Sequence, residues 1–248
     1  MVVQATVFGL VASSALVIGG TVGSFWHAPT QLTGIFLAFA SGSLISALCF
    51  ELFPEAVEVG GHAWAGGGLV AGAAAFVAAD TIVGKYVAHP EGDVQAGQRE
   101  VVHGAAASPG VGFALLAAVT LDGVPENTAL GVSLVSEASF VLLLAIFASN
   151  LPESLVGAIE MRKGGRSPSF AISLWALAAV LLALAVVVGR AVGGALGDEP
   201  LALLLGFAGG AVLASLADTL MPEAFAKGRP LNAFATAAGF FVSFVLAG

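Results

Sequence analysis

The sequence predicts an all-α, polytopic membrane protein of eight transmembrane helices, and three observations predict it. First, 58% of the 248 residues are hydrophobic and only 10% are charged, with a mean hydropathy of +0.99. Soluble domains carry roughly 25% charged residues, and no soluble core of this length needs so much apolar sequence. Second, apolar runs of about 20 residues, the length that spans a bilayer, recur along the chain. Third, glycine and proline fall inside those runs. Thirty-three glycines let helices approach closely, and neighbouring helices re-satisfy the backbone groups that proline frees.

In order, the runs are 3–25, 31–54, 63–86, 109–134, 138–161, 168–190, 201–223 and 231–247. The N-terminus has no Lys or Arg before its first apolar run, so that run is read as a span and not as a secretory signal. The chain is expected to form one transmembrane transporter domain, 1–248. Its single long connection, 87–108, is polar and Gly/Ala-rich and is expected to be mobile. The loops after spans 1, 3, 5 and 7 carry or border Lys85, Arg99, Arg162, Lys163, Arg166, Lys227 and Arg229. The terminal side has only Arg190. This asymmetry predicts termini outside the cell and 87–108 in the cytoplasm, with the protein in the plasma (inner) membrane.

A repeat appears when the second run is laid over the seventh. Phe39-Ala40-Ser41-Gly42 matches Phe207-Ala208-Gly209-Gly210, and Leu52-Phe53-Pro54-Glu55-Ala56 matches Leu220-Met221-Pro222-Glu223-Ala224 without a gap. The two spans run in opposite senses. An inverted repeat follows, helices 1–3 against 6–8 with helices 4 and 5 at the centre, as in many secondary transporters.

Composition excludes several functions. The formal charge of −8 says little about partners because many acids lie inside spans. No basic, aromatic face reads as a nucleic-acid surface, and no nucleotide-binding motif supplies ATP drive. The one cysteine, Cys49, permits no internal disulfide. Neither a His-Glu-x-x-His motif nor an intramembrane Ser/His dyad supports a membrane enzyme, so the chain is read as a non-enzyme.

Two stretches carry chemistry. Span 4 contains Asp122-Gly123-Val124-Pro125-Glu126-Asn127, and span 5 contains Ser149-Asn150-Leu151-Pro152-Glu153-Ser154. An Asp at a helix centre in the bilayer costs ~2.5–3.5 kcal/mol on insertion scales, so carboxylates there mark function by default. Asp122 and Glu126 are i, i+4 on one face; Ser149 and Glu153 share that spacing, and Asn150 lies i, i+3 from Glu153. Pro125 and Pro152 free the carbonyls of Leu121 and Ala148. Together, Asp122, Glu126, Ser149, Asn150 and Glu153 form an all-oxygen set suited to a hard or borderline divalent cation. A structural carboxyl pair for Asp122 and Glu126, and interhelical hydrogen bonding for Ser149 and Asn150, are the plainer readings.

Outside this set, Glu51 and Asp218 are candidates for an entrance and an exit, with Glu55 and Glu223 read equally as solvated helix ends. Glu160, seven residues after Glu153, extends a path on the same face of span 5. Asp80 is expected to pair with Lys85. The four histidines, His27, His62, His89 and His103, fall near loops and read as surface residues.

The chain resembles the Zrt/Irt-like (ZIP) divalent-metal transporters. The topology, the long connection after span 3, the Pro-Glu-Ala step closing span 2 and the Pro-Glu steps in spans 4 and 5 carry the likeness. In that family span 4 typically reads His-Asn-x-Pro-Glu-Gly and span 5 His-Glu-x-Pro-His/Glu. The resemblance implies ligand positions at Asp122, Glu126, Ser149 or Asn150, and Glu153. It also implies metal import toward the cytoplasm, by movement of helices 1, 4, 5 and 6 against the rest. Asp122 replaces the family's histidine and Gly123 the asparagine that helps a second metal, and span 6 lacks a carboxylate. One main site is therefore expected, with Mn²⁺ or Fe²⁺ favoured beside the family's Zn²⁺. No cofactor is expected; the metal ion is cargo. The bilayer and a second copy in a homodimer are the other expected partners. The alternative reading is a proton- or cation-coupled permease or exporter whose intramembrane carboxylates relay protons.

Overall fold

The computed structural model describes residues 2–26, 28–87, 110–135 and 140–247, without the side chains of 83–87, 110–119, 121–122 and 247. The remainder of the 87–108 connection, together with His27, His89 and His103, lies outside the described residues. Within them the chain is helical throughout, with no strand. The helices are α1 (Val2–Phe25), α2 (Thr30–Ala47), α3 (Phe53–Val87), α4 (Gly110–Ser133), α5 (Phe140–Lys163), α6 (Pro168–Gly193), α7 (Asp198–Ser215), α8 (Met221–Gly228) and α9 (Asn232–Ala247).

Five helical stretches among the described residues are long and apolar enough to cross a membrane: Val2–Phe25, Thr30–Ile82, Phe140–Lys163, Pro168–Gly193 and Asp198–Gly228. Large apolar side chains cover their outer faces, as Val3, Val7 and Leu10 do on α1 and Val180, Leu184 and Val188 on α6. A surface of this kind is matched to lipid, in which backbone polar groups must be satisfied within the helix itself. The chain is therefore a membrane protein by its helices.

Two long rods have the same construction. α2 passes through a π-helical turn at Leu48–Leu52 into α3, and α7 passes through a π-helical turn at Leu216–Leu220 into α8. Each turn is followed at once by the Pro-Glu-Ala step. Single π turns inside α-helices are uncommon and cluster at functional places. The expected spans 31–54 and 201–223 are thus too short at their ends. Helix continues to residue 60 in the first rod and to Gly228 in the second, with Ala56, Val57 and Val59 of the first and Ala224 of the second packed on apolar clusters.

The rods then turn differently. Gly61 breaks α3 with φ 82° and ψ 168°, a backbone region that essentially only glycine occupies. Residues 62–87 return as the next helix. In the second rod the chain turns through Arg229, Pro230 and Leu231 into α9. At the end of α5, Gly165 (φ 83°) closes the helix, with Arg166 N–H donating to Met161 O at 3.0 Å. Ser167 caps α6 by accepting from Phe170 N–H at 3.1 Å, with Pro168 in the first turn.

The helices associate in two groups. In one, α1 packs on α5 and α6, and α6 on α4; in the other, α3 packs on α7, and α2 on α8 and α9. The groups meet along α2–α5 and α4–α7. Glycine sets the close approaches inside the second group. A Cβ added at Gly42 would lie 1.9 Å from the Thr236 carbonyl oxygen, and one at Gly210 would lie 2.1 Å from that of Leu69. Likewise Gly72 would meet Phe207 O at 1.9 Å, and Gly239 would meet Phe39 O at 1.9 Å. Small residues at such crossings are how membrane helices gain packing without a hydrophobic driving force.

The basic residues sort to one end. Gln31 Nε2 donates to Arg229 O at 3.1 Å, which sets the α1–α2 turn beside the α8–α9 turn. Lys227 bonds Glu160, bringing the end of α5 to the same place. Arg162, Lys163, Arg166, Lys227 and Arg229 therefore share this end. At the other end, residue 60 packs against Asp198 and Ala202, and Arg190 is the sole basic residue there among those described.

Candidate functional site

α4 and α5 each carry a proline one residue before a glutamate, and both remain helical through it. Their side chains beyond the proline make matching bonds. Asn127 Nδ2 donates to Gly123 O at 2.9 Å, and Ser154 Oγ donates to Asn150 O at 2.7 Å. Each side chain thus bonds the carbonyl one turn back, beside the step where proline has removed an N–H donor. Ser154 also approaches Ala15 O of α1 at 3.3 Å, tying α5 to its neighbour.

The Pro-Glu steps bring two expected ligands together. Ser149 Oγ lies 3.5 Å from Glu126 Oε2, at the long limit of a hydrogen bond, and also donates to Ile146 O at 2.9 Å. Ser149 and Asn150 are buried, and Glu126 is 6% exposed. Glu126 borders a cavity of about 10 Å³ whose other walls are Leu44, Leu48 and Leu52 of the first rod, Ala129, Leu142, Ile146 and Val212. The cavity lies where the two helical groups meet, and the first π turn contributes two of its walls. Burying a carboxylate among so many apolar groups is costly unless its charge is compensated.

Two buried carboxamides have an atom without a partner among the described residues, Asn127 Oδ1 and Asn150 Nδ2. Asn127 is fully buried and was not among the expected ligands. Its i, i+4 relation to Gly123 was the one sign in the sequence that it would fold back along the helix. An orphaned amide oxygen costs about 1–3 kcal/mol in a protein interior.

The other expected residues are placed as follows. Glu153 is half-buried on α5. Asp122 is on α4, but its side chain lies outside the described residues. Glu51 sits in the first π turn and Asp218, exposed, in the second. Asp80 lies near Asp218, whose charge bears on it; its expected partner Lys85 is outside the described side chains. Glu160 is engaged by Lys163 Nζ at 3.2 Å and Lys227 Nζ at 3.5 Å. Lys227 also pairs with Glu223 at 2.7 Å. His62 and Cys49 are exposed. Among the described residues, no three His, Cys, Asp or Glu side chains gather closely enough to hold a metal.

What the arrangement offers chemically is a carboxylate, a hydroxyl and a carboxamide on two proline-containing helices, all oxygen donors or convertible to one by turning an amide. Among known proteins, no family model matches the chain, and no curated protein matches it.

Proposed function

We propose that the chain is a secondary transporter that moves divalent transition-metal cations toward the cytoplasm, in the manner of the Zrt/Irt-like family. The observation that carries this reading is the meeting of Glu126 and Ser149, buried, from two proline-containing helices at the boundary between two helical groups. Glu126, Ser149, Asn150 and Glu153, with Asp122 one turn before Glu126, are its ligand set. The oxygen-only donors suit Mn²⁺ or Fe²⁺ as well as Zn²⁺.

The membrane arrangement proposed with it has eight spans and both termini outside. The polar connection after α3 and the basic end lie in the plasma-membrane cytoplasm. Support comes from the sorting of five basic residues to one end against Arg190 at the other. An inverted repeat relates spans 1–3 to 6–8. Its support is the spacing of the π turns, 168 residues apart, as are Gly42 and Gly210, and Phe39 and Phe207. Leu69 and Gly72 match Thr236 and Gly239 at a spacing of 167, one residue being lost in the turn.

Uptake of Mn²⁺, Fe²⁺, Zn²⁺ and Cd²⁺ into proteoliposomes tests the reading. Saturable uptake is expected in the wild type, falling at least about tenfold in Glu126→Ala, since loss of even a partner that only orients a metal ligand commonly costs that much. The apolar walls around Glu126 favour a second reading, in which this carboxyl relays protons in a proton-coupled permease. That reading takes over if folded, oriented protein takes up no divalent ion and an imposed pH gradient still drives a flux lost in Glu126→Ala.

A further inference from the structure

The basic end holds an arrangement that the transport site does not use. Lys227, at the end of α8, is 13% exposed and reaches two carboxylates, Glu223 at 2.7 Å on its own helix and Glu160 at 3.5 Å on α5. Glu160 is shared with Lys163 at 3.2 Å. Arg229 is held out of this cluster, its guanidinium lying over the Phe225 ring at 4.7 Å. Among the described ion pairs here, two ammonium groups meet two carboxylates. The bond from Lys227 to Glu160 joins α8 of one helical group to α5 of the other.

Among the described residues, the opposite end shows no such cross-group pair at the matching positions. Glu223 corresponds to Glu55 in the first rod, but Lys227 corresponds to Val59. By the spacing of the two Pro-Glu steps, Glu160 on α5 corresponds to Ser133 on α4. Val59 packs on the main apolar core, and so does Val135 just beyond Ser133. One end of the boundary between the groups is thus closed by apolar contact and the other by an ion pair. Apolar contact between helices is lost gradually as they slide. A mostly shielded ion pair has discrete made and broken states, and shielding keeps it from being screened away by salt.

We propose that Lys227 is a clamp: its ammonium, held between Glu223 and Glu160, locks the two helical groups together at the basic end. It keeps that side of the Glu126 site shut until the groups separate. The purpose assigned to the clamp rests on the transporter reading; its existence does not.

The test uses the full chain in nanodiscs, with Cys49→Ser and spin labels at Ser169 and Ala226, exposed positions in the two groups at this end. A single narrow distance is expected in the parent. In Lys227→Met, which keeps the apolar stem, a longer distance is expected to rise about tenfold in population, the size of coupling that contacting charges commonly carry. Lys227→Glu alone is expected to open the end similarly. Combined with Glu160→Lys, which restores opposite charges across the groups, it is expected to recover the narrow distance. That recovery excludes a general loss of fold. An unchanged distance in Lys227→Met, or no recovery in the charge swap, overturns the clamp. If the distances behave as expected but no divalent ion is taken up by the parent, the transporter reading falls and the clamp stands. If uptake is saturable and the distances do not respond, the reverse holds.

Discussion

The rods Thr30–Val87 and Asp198–Ala247 share one scaffold and differ in what they hang on it. Both insert a π turn at the same relative place, both follow it with Pro-Glu-Ala, and both seat a glycine on a neighbouring carbonyl. Yet within the π turns the side chains diverge. Phe50 packs edge-on against Phe240 and Phe244, with ring centroids 5.9 and 5.0 Å away. Its counterpart Asp218 faces another acid, Asp80. Glu51 in the first turn answers to Thr219 in the second, which bonds Ser215 O at 2.7 Å. Backbone geometry is common to the two rods because close packing demands it. The side chains at their ends are free to differ because they meet different surroundings.

The largest effects are expected at the shared scaffold. Gly42→Val and Gly210→Val each place atoms where a carbonyl oxygen already sits, and backbone cannot yield as a side chain can. Each is expected to cost more than the ~1–3 kcal/mol typical of overpacking, read as a drop in thermal unfolding midpoint in detergent. Equal losses sharpen the comparison; tolerance at one position and collapse at the other breaks it.

The turns come next. Gly61→Ala meets no atoms within 4 Å, so its whole cost is the strained backbone, about 1–3 kcal/mol. The corresponding turn uses Arg229, whose replacement by Ala removes a contact with Phe225 worth about 0.5–1 kcal/mol at an exposed site. A Gly61→Ala protein as stable as the parent would show that the two turns are not built differently after all.

The smallest effect is at the acids. Asp218→Asn removes one charge of a like-charged pair, and a gain below about 1 kcal/mol is expected in unfolding at neutral pH. Phe50→Ala, at the matching position, is expected to lose about 0.5–1.5 kcal/mol for each aromatic contact. Effects of the same sign at both positions would mean that the second π turn leans on Asp218 as the first leans on Phe50.

Apolar length and the placement of proline made the long helices legible from the residues alone, because bilayer thickness and backbone satisfaction leave few choices. The pairing of Glu126 with Ser149 was legible in part. The i, i+4 spacing set each residue on a face, but which faces meet depends on packing between α4 and α5. The π turns were not legible. Leu48–Leu52 and Leu216–Leu220 are ordinary helix-forming sequences, and the extra residue is accommodated by contacts far along the chain. Nor was the partner of Glu160: Lys227 is 67 residues away, and nothing local joins them. Asn127 carries no charge to mark it in the sequence; its interest lies in an amide oxygen left unmatched among the described residues.

The cavity beside Glu126 has a consequence for the cell's ion economy. Its volume of about 10 Å³ is the room of roughly one water molecule, far less than an ion with its hydration shell requires. Each elementary charge that leaks across a membrane dissipates ~2.3 kcal/mol for every 100 mV. Leucines packed around a single carboxylate let no file of water form in this conformation. Under the transporter reading, a protein so built does not short-circuit the potential, and its throughput is bounded by how often its helices rearrange.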